Sequence, residues 1–407
     1  MIMRSRNHPG ILLLAALLIC AAPAPGHADS LVRIFPELQM SGFYSDNVPL
    51  RTTNPTGDFV GVGAAGFFLD YTSEARYASL HYDTFAQLFA HQSRFDRAGE
   101  GQSVSIADHE NISSTTKLNT EEFFYRDAPI VVAVATAPQV AYFNSTLVGY
   151  LLAGDKASVN HFITELSHNW GHKWTTLTSI RQETLWSNNN NTSYAQSISN
   201  LALYHYSDRL EFGPGYRFYD FRFTFPDRPG SEAHWAYLDI NWIPLENLYF
   251  TGTIGPVFTY TFGTDKQAVE PGGVASLKYA FQRGHAEIIG GQEPDLTAGL
   301  SGAGTLDFVR GNLSYELTRR LTASAGGGYN QLSGTGVNAQ LVVYGVGVND
   351  RINRWLNVYV RYTGIRRTVT APQQFLPNST TSGQEATGNY FIIGFSAAIE
   401  AYRWSWQ

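Results

Sequence analysis

The sequence has few of the features that mark a disulfide-bonded or helical membrane protein. Among 407 residues it has a single cysteine, Cys20, so no disulfide can form within the chain. No stretch holds the 18 or more consecutive apolar residues that a transmembrane helix needs. Charged residues make up only 15% of the chain. These shortages exclude a disulfide-stapled fold and a membrane protein built from helices.

The first 28 residues have the pattern of a cleaved export signal. Arg4 and Arg6 form a basic start, an apolar segment covers 11–22, and small residues precede the predicted cleavage after Ala28. An uncleaved anchor is the weaker alternative, because about twelve apolar residues are too few to cross a bilayer as a helix. The pattern therefore predicts one mature domain, residues 29–407.

The predicted mature chain is acidic. Removing the two signal arginines from the 28 Lys and Arg leaves 26 basic against 34 acidic residues, a net charge of −8. No basic stripe is visible, which argues against nucleic acid as a partner.

Alternation of apolar and polar residues is the strongest pattern after the signal. In 356–363, for example, Leu, Val, Val and Tyr alternate with Asn, Tyr, Arg and Thr. A period of two predicts strands with two unlike faces. Repeated along the chain, it predicts an all-β fold, a transmembrane antiparallel up-and-down β-barrel with lipid outside and a polar lumen inside. Aromatic residues reach 14%, which fits rings at the two membrane interfaces.

The turns between these segments predict about 18 strands, with 16 as the runner-up. A loop is predicted at 93–108, and a second one at 136–155 has an apolar stretch, 147–153, expected to fold into the lumen as a short helix or strand. The predicted strands are 38–46, 58–71, 76–92, 112–118, 123–135, 159–170, 174–186, 194–206, 210–221, 233–243, 248–262, 273–281, 285–292, 305–317, 321–332, 338–349, 355–366 and 390–402.

Short charged turns alternate with longer loops, which predicts periplasmic turns and extracellular loops. An even strand number would place both termini in the periplasm and close the last strand on the first. A barrel of this size is wide enough for a water-filled lumen. The aromatic end Tyr402, Trp404, Trp406 is similar to the signal that outer-membrane proteins present to the barrel-insertion machinery, although Gln407 stands where a terminal Phe or Trp is usual.

Two short motifs that suggest ligand sites are better explained as structure. The G-x-G-x-x-G of 61–66 lies within a predicted strand and not between a strand and a helix, so a dinucleotide site is not favoured. His168 and His172 lack the glutamate of the H-E-x-x-H zinc pattern and fall at a strand end and in a turn. No catalytic, metal or cofactor site is predicted.

Two histidine–acid pairs share a strand face, His161 with Glu165 and His285 with Glu287. Each pair has the groups of a general base and its orienting acid. Neither comes with a nucleophile signature such as G-x-S-x-G, and a lumen needs polar side chains in any case. Pore lining is therefore favoured over an enzyme.

Charged residues on the polar faces of the predicted strands are the candidates for selecting solutes in the lumen. A register error of one residue would turn any of them outward. The candidate pore-lining residues are Arg181, Glu183, Arg217, Asp239, Lys278, His285, Glu287 and Arg361.

The start of the mature chain resembles a known family. Tyr44-Ser-Asp-Asn-Val48, then Asp58-Phe59-Val60, and later Tyr77-Ala-Ser-Leu-His-Tyr82 are similar to the opening of the β-barrel porins found with exosortase and exopolysaccharide systems of Gram-negative bacteria. The resemblance implies this fold and the outer membrane as location. It implies no particular substrate.

The leading hypothesis is a porin-like pore or export conduit for small solutes or polysaccharide-related cargo. The alternatives are a sheath or anchor for a periplasmic or cytochrome partner, and a barrel enzyme acting on outer-membrane lipid. The expected partners are outer-membrane lipid, the barrel-insertion machinery, and either further copies of the chain or a periplasmic protein. No cofactor is expected.

Overall fold

The computed structural model shows a closed antiparallel β-barrel. It describes residues 30–47, 55–92, 97–126, 157–187, 192–223, 230–263, 267–294, 304–333, 338–370 and 384–406. The predicted signal, the 136–155 loop and its apolar stretch lie outside the described residues. In the part of the chain that is described, no helix is long and apolar enough to cross a membrane.

The strands are mostly 11 to 16 residues long, with one segment of five at the end. They are β1 Ser30–Ser45, β2 Asp58–Thr72, β3 Arg76–Phe89, β4 Arg97–Asn111, β5 Thr116–Arg126, β6 Ala157–Trp170, β7 Trp174–Ser187, β8 Thr192–Ser207, β9 Leu210–Phe223, β10 Ser231–Leu245, β11 Leu248–Thr261, β12 Gln267–Phe281, β13 Gly284–Pro294, β14 Thr305–Glu316, β15 Leu321–Ser333, β16 Asn338–Arg351, β17 Leu356–Thr370, β18 Gln384–Ala398 and β19 Tyr402–Trp406.

The barrel closes through its first strand. Each strand from β1 to β17 pairs antiparallel with the next along the chain, and β1 also pairs with both β18 and β19. Because β18 and β19 follow one another along the same side of β1, they form one interrupted span. The 19 segments therefore make 18 spans, which confirms the predicted strand number and the closure of the last strand on the first.

The interruption in the last span lies opposite a proline. Ile399 and Ala401 still donate backbone N–H groups to the carbonyls of Pro36 at 3.3 Å and Ile34 at 2.9 Å. Pro36 has no N–H to return toward that neighbour, so the reciprocal bond of the ladder cannot form. The closing strand bulges at the place where β1 lacks a donor.

Short turns lie at the same end of the barrel as Ser30 and Trp406, and most connections at the other end are longer. This confirms the predicted asymmetry of turns and loops. In the turn after β6, Gly171 has φ +70°, a backbone conformation that glycine adopts without strain. The short turns are 73–75, 112–115, 171–173, 208–209, 246–247, 282–283, 317–320 and 352–355.

The sequence prediction was wrong for the fourth and fifth strands. The predicted loop 93–108 is largely β4, and the predicted strand 112–118 contains the turn that leads to β5. In β4 only Val104 and Ile106 mark an apolar face, while small and polar residues fill the rest. Such a strand has almost no alternation to detect. The predicted fifth strand, 123–135, ends in the structure at Arg126, and its remainder lies outside the described residues.

The ends of the first and last strands were also misjudged. The first strand begins at Ser30, and the last begins at Gln384. The later hairpins from β6 to β17 match their predictions, apart from shifts of a few residues at strand ends.

The outer face of the barrel is apolar over most of its circumference. Leu38 and Met40 of β1 are about half exposed, and Phe391 and Ile393 of β18 beside them are 54% exposed. The opposite face of β1 carries polar residues such as Gln39. This is the arrangement of a barrel with lipid outside.

One sector of the outer face is polar. On β5 and β6, Glu122 accepts a 3.1 Å hydrogen bond from Asn160 Nδ2, and on β7 and β8, Thr178 donates a 2.9 Å bond to Asn200 Oδ1. These residues share their face with outward residues such as Ile180, which is 39% exposed. We call Glu122, Asn160, Thr178 and Asn200 the polar sector. Contact with lipid does not explain polar side chains on this part of the outer face.

Candidate pore-lining site

All the predicted pore-lining residues lie on the inner face of the barrel. Lys278 pairs with Glu287, for example, while Leu277 and Ile288 beside them are exposed on the outer face. That these residues line a conducting pore stays a prediction. The inner-face residues concerned are Arg181, Glu183, Arg217, Asp239, Lys278, His285, Glu287 and Arg361.

Three arginines from separate strands converge on one glutamate. Arg181 of β7, Arg217 of β9 and Arg310 of β14 all interact electrostatically with Glu293 of β13. Since β7 and β9 are not neighbours of β13 in the strand order, Arg181 and Arg217 extend toward Glu293 across the lumen. We call these four residues the arginine cluster. Two further acids of the inner face lie near the cluster, since Glu165 interacts with Arg181 and Asp239 with Arg217.

Arg217 is held by aromatic side chains. Its guanidinium carbon lies 5.5 Å from the ring centre of Trp235 and 5.8 Å from that of Tyr237. Its Nη1 donates a 3.3 Å hydrogen bond to the hydroxyl of Tyr219. Trp235 and Tyr219 are at most 1% exposed. Aromatic faces attract the cation and fix its position without neutralising it.

Several hydrogen-bond donors in this region have no acceptor among the described residues. They are Nε of Arg181, Nε of Arg217 and Nε1 of Trp235, and each is a buried atom. A buried donor without an acceptor is unfavourable unless another group supplies one.

Other charged residues of the inner face are held against the wall. Asp239 accepts a 2.8 Å hydrogen bond from Thr253 Oγ1, and Glu287 accepts a 3.3 Å bond from Asn312 Nδ2. The guanidinium of Arg361 lies 4.5 Å from the ring centre of Tyr359. These contacts reduce the freedom of the side chains and leave their charges facing the lumen.

The inner face is not polar throughout. Toward the end with the longer connections it carries apolar residues that are nearly buried, among them Val60, Leu341 and Ile392. The polar lining predicted from the sequence is therefore found mainly in the half nearer the short turns. Buried apolar residues are common on the inner face of the other half.

In the structure, His161 contacts a different acid from the one predicted. His161 contacts Glu183 of the neighbouring strand, with Nδ1 and Oε2 3.4 Å apart. Glu165 lies on the same inner face, opposite Ser179. Glu183 is only 4% exposed, so this carboxylate is part of the wall.

The two short motifs have the structural positions that the sequence predicted. His168 lies in β6, where its Nδ1 is 2.8 Å from Thr116 Oγ1, and His172 lies in the following turn. The glycines Gly61, Gly63 and Gly66 lie within β2.

Sequence reasoning missed Arg310, Glu293 and a cluster formed by Glu37, His81 and Asp83. Arg310 lies on the same strand face as Asn312. The alternation of faces within the predicted strand 305–317 would therefore have placed Arg310 on the inner face. Glu293 fell in a predicted loop. His81 and Asp83 are two residues apart on one strand, which is a detectable signal, but Glu37 lay just before the predicted first strand.

The topology and surface define the class of protein. A closed barrel satisfies its backbone hydrogen bonds internally, and an apolar outer face around a partly polar interior suits a bilayer. The protein is a closed transmembrane β-barrel of 18 antiparallel spans.

No family model matches the chain, and no curated protein matches its sequence. Among solved structures, a BenF-like porin from Pseudomonas fluorescens Pf-5 matches with 9% identity and a TM-score of 0.46, covering 90% of this chain and 99% of that one. Pseudomonas aeruginosa OccK2 (OpdF) in complex with glucuronate matches with 9% identity and a TM-score of 0.46, covering 90% and 98%. Acinetobacter baumannii OccAB3 matches with 8% identity and a TM-score of 0.44, covering 90% and 99%.

Proposed function

We propose that the protein is a passive pore for small polar solutes that favours anionic ones, and that it is not an enzyme. The observation that carries this proposal is the arginine cluster, in which Arg181, Arg217 and Arg310 meet a single glutamate across the lumen. Barrels with 16 to 18 strands are wide enough for an aqueous channel.

The arginine cluster would select solutes through charge and hydrogen bonding. Its three guanidinium groups attract anions, and a low-dielectric wall strengthens that field. The guanidinium groups of the cluster replace part of the water that an anion loses on entry. Glu293 offsets some of the attraction, so a bound anion is able to leave, as conduction requires.

Ion selectivity in planar bilayers tests the proposal. With the purified protein under a salt gradient, we expect stepwise conductance and a reversal potential that favours chloride over potassium. The double variant Arg181→Gln and Arg217→Gln should lose this preference while still conducting, because the cluster loses two positive charges and keeps similar volume.

Arg319→Gln is the matched control, since Arg319 is an exposed arginine in the 317–320 turn. It should conduct with the selectivity of the unmodified protein. A barrel that inserts but never conducts contradicts the pore, and an unchanged reversal potential in the double variant contradicts the role of the cluster.

Export of polysaccharide-related cargo is the second candidate. The polar inner-face residues favour it, such as Asp239 and Glu287, because they offer hydrogen-bond partners to sugar hydroxyls. Current block by neutral and by anionic oligosaccharides of equal length distinguishes the two. Equal block supports recognition of sugar hydroxyls, and preferential block by uronates supports selection by charge.

A further inference from the structure

We propose that Glu37, His81 and Asp83 form a binding site for a divalent transition-metal ion in the lumen wall. His81 Nε2 lies 2.8 Å from Glu37 Oε2 and 3.1 Å from Asp83 Oδ2. One ligand atom from each residue lies within 4.8 Å of the other two. The site uses none of the residues of the arginine cluster.

The register of the first three strands builds this cluster. Glu37 of β1 and Asp83 of β3 both pair with Gly66 of β2, which lies between them. Because Gly66 has no side chain, the two carboxylates extend over it from either side. A Cβ at this position would clash with Asp83 Oδ1, because the Asp83 carboxylate occupies the space above the glycine. His81 is two residues before Asp83 and shares its inner face.

The donor set suits a first-row transition metal. One imidazole nitrogen and two carboxylate oxygens bind such ions and leave further positions for water. With neutral imidazole the three groups carry two negative charges, which match a divalent cation. Ligand atoms around a tetrahedral zinc lie about 3.3 Å apart. The observed nitrogen–oxygen separations of 2.8 and 3.1 Å therefore need only small side-chain movements.

The alternative is a protonated His81 paired with both carboxylates. A single Nε2–H can donate in only one direction, whereas two carboxylates approach the same nitrogen. In agreement, Nε2 is a buried atom that makes no well-aligned hydrogen bond despite both short distances. A metal ion would be coordinated by the nitrogen and both oxygens at once, which favours the metal site.

Zinc titration by calorimetry tests the proposal. The probe is Zn²⁺ added to the full-length mature barrel in detergent, purified without a histidine tag. We expect one ion per chain. His81→Gln and Glu37→Gln should each weaken binding about tenfold or more, because each removes one ligand. Cobalt absorbance provides a second readout, since loss of the imidazole should alter the visible spectrum of bound Co²⁺.

The matched control is His205→Gln. His205 Nδ1 lies 2.7 Å from Glu211 Oε1, and among the described residues this pair belongs to no group of three potential metal ligands. The control should bind Zn²⁺ as the unmodified protein does. Retained heat-modifiable gel mobility shows that each variant is folded. No saturable binding, or equal weakening by all three variants, would overturn the metal site.

Discussion

Charged residues of the inner face near the short turns form paired contacts that stabilise the barrel wall. Arg33 of β1 donates to both carboxylate oxygens of Asp70 on β2, with Nε–Oδ1 and Nη2–Oδ2 distances of 3.0 and 2.8 Å. Asp70 is only 3% exposed. Bidentate geometry and burial of the acid make this pair stronger than an ordinary surface ion pair.

Asp70→Asn should therefore destabilise the folded barrel. The amide keeps the volume but accepts only one of the two charge-assisted bonds, so we expect a loss of about 1–2 kcal/mol, moderated by the partial exposure of Arg33. Urea unfolding followed by tryptophan fluorescence measures it. Asp208→Asn, in an exposed turn, is the control and should leave the midpoint unchanged. Equal midpoints for both variants would contradict a stabilising pair.

At the scale of elements, β2 shows how neighbouring glycines differ in what surrounds them. A Cβ added to Gly61 or Gly63 would have no atom within 4 Å, whereas a Cβ on Gly66 would clash with the backbone carbonyl oxygen of Tyr82. Relieving a clash with backbone forces the strands apart. The same G-x-G-x-x-G motif thus holds two replaceable glycines and one that the packing requires.

Gly66→Ala should lower the unfolding free energy by about 1–3 kcal/mol, because β2 and β3 must shift to admit the methyl group. Gly61→Ala and Gly63→Ala are matched controls within the same strand and should unfold at the midpoint of the unmodified protein. Urea unfolding of the three variants side by side measures the difference. A Gly66→Ala barrel as stable as its controls would show that the strands accommodate the methyl group freely.

Sequence patterns were sufficient for elements whose two faces differ in polarity. Strand β17 was predicted well because Val358 and Val360 alternate with Tyr359 and Arg361. Strand β4 was missed because its residues other than Val104 and Ile106 are small or polar on both faces. The arginine cluster was only partly predictable, since the meeting of Arg217 and Glu293 depends on how the closed barrel brings distant strands together. Periodicity within one strand contains no information about the opposite wall.

At the scale of the whole molecule, the polar sector is the part of the outer face least suited to lipid. Charged groups facing lipid at mid-membrane depth are destabilising in transmembrane barrels. Glu122 and Asn160 bond to each other, but both retain further hydrogen-bonding capacity. Most protein oligomers are assembled from identical chains, so a second copy is the favoured occupant.

We therefore expect the protein to self-associate through this sector. Light scattering of the detergent complex should give a mass of more than one chain for the unmodified protein, and of one chain for the double variant Glu122→Leu and Asn160→Val. Val346→Leu on the apolar outer face is the control and should leave the mass unchanged. A monomeric unmodified protein would contradict the interface.

The proline opposite the closing strand also limits how the barrel can be assembled. A one-residue slip of the last span along β1 would turn every inward side chain of that span outward. It would also move the bulge at Ile399 away from Pro36. A regularly paired residue of the last span would then face Pro36, which has no backbone N–H to donate. Only one alignment satisfies both constraints, so Pro36 helps to fix the register in which the last span pairs with β1.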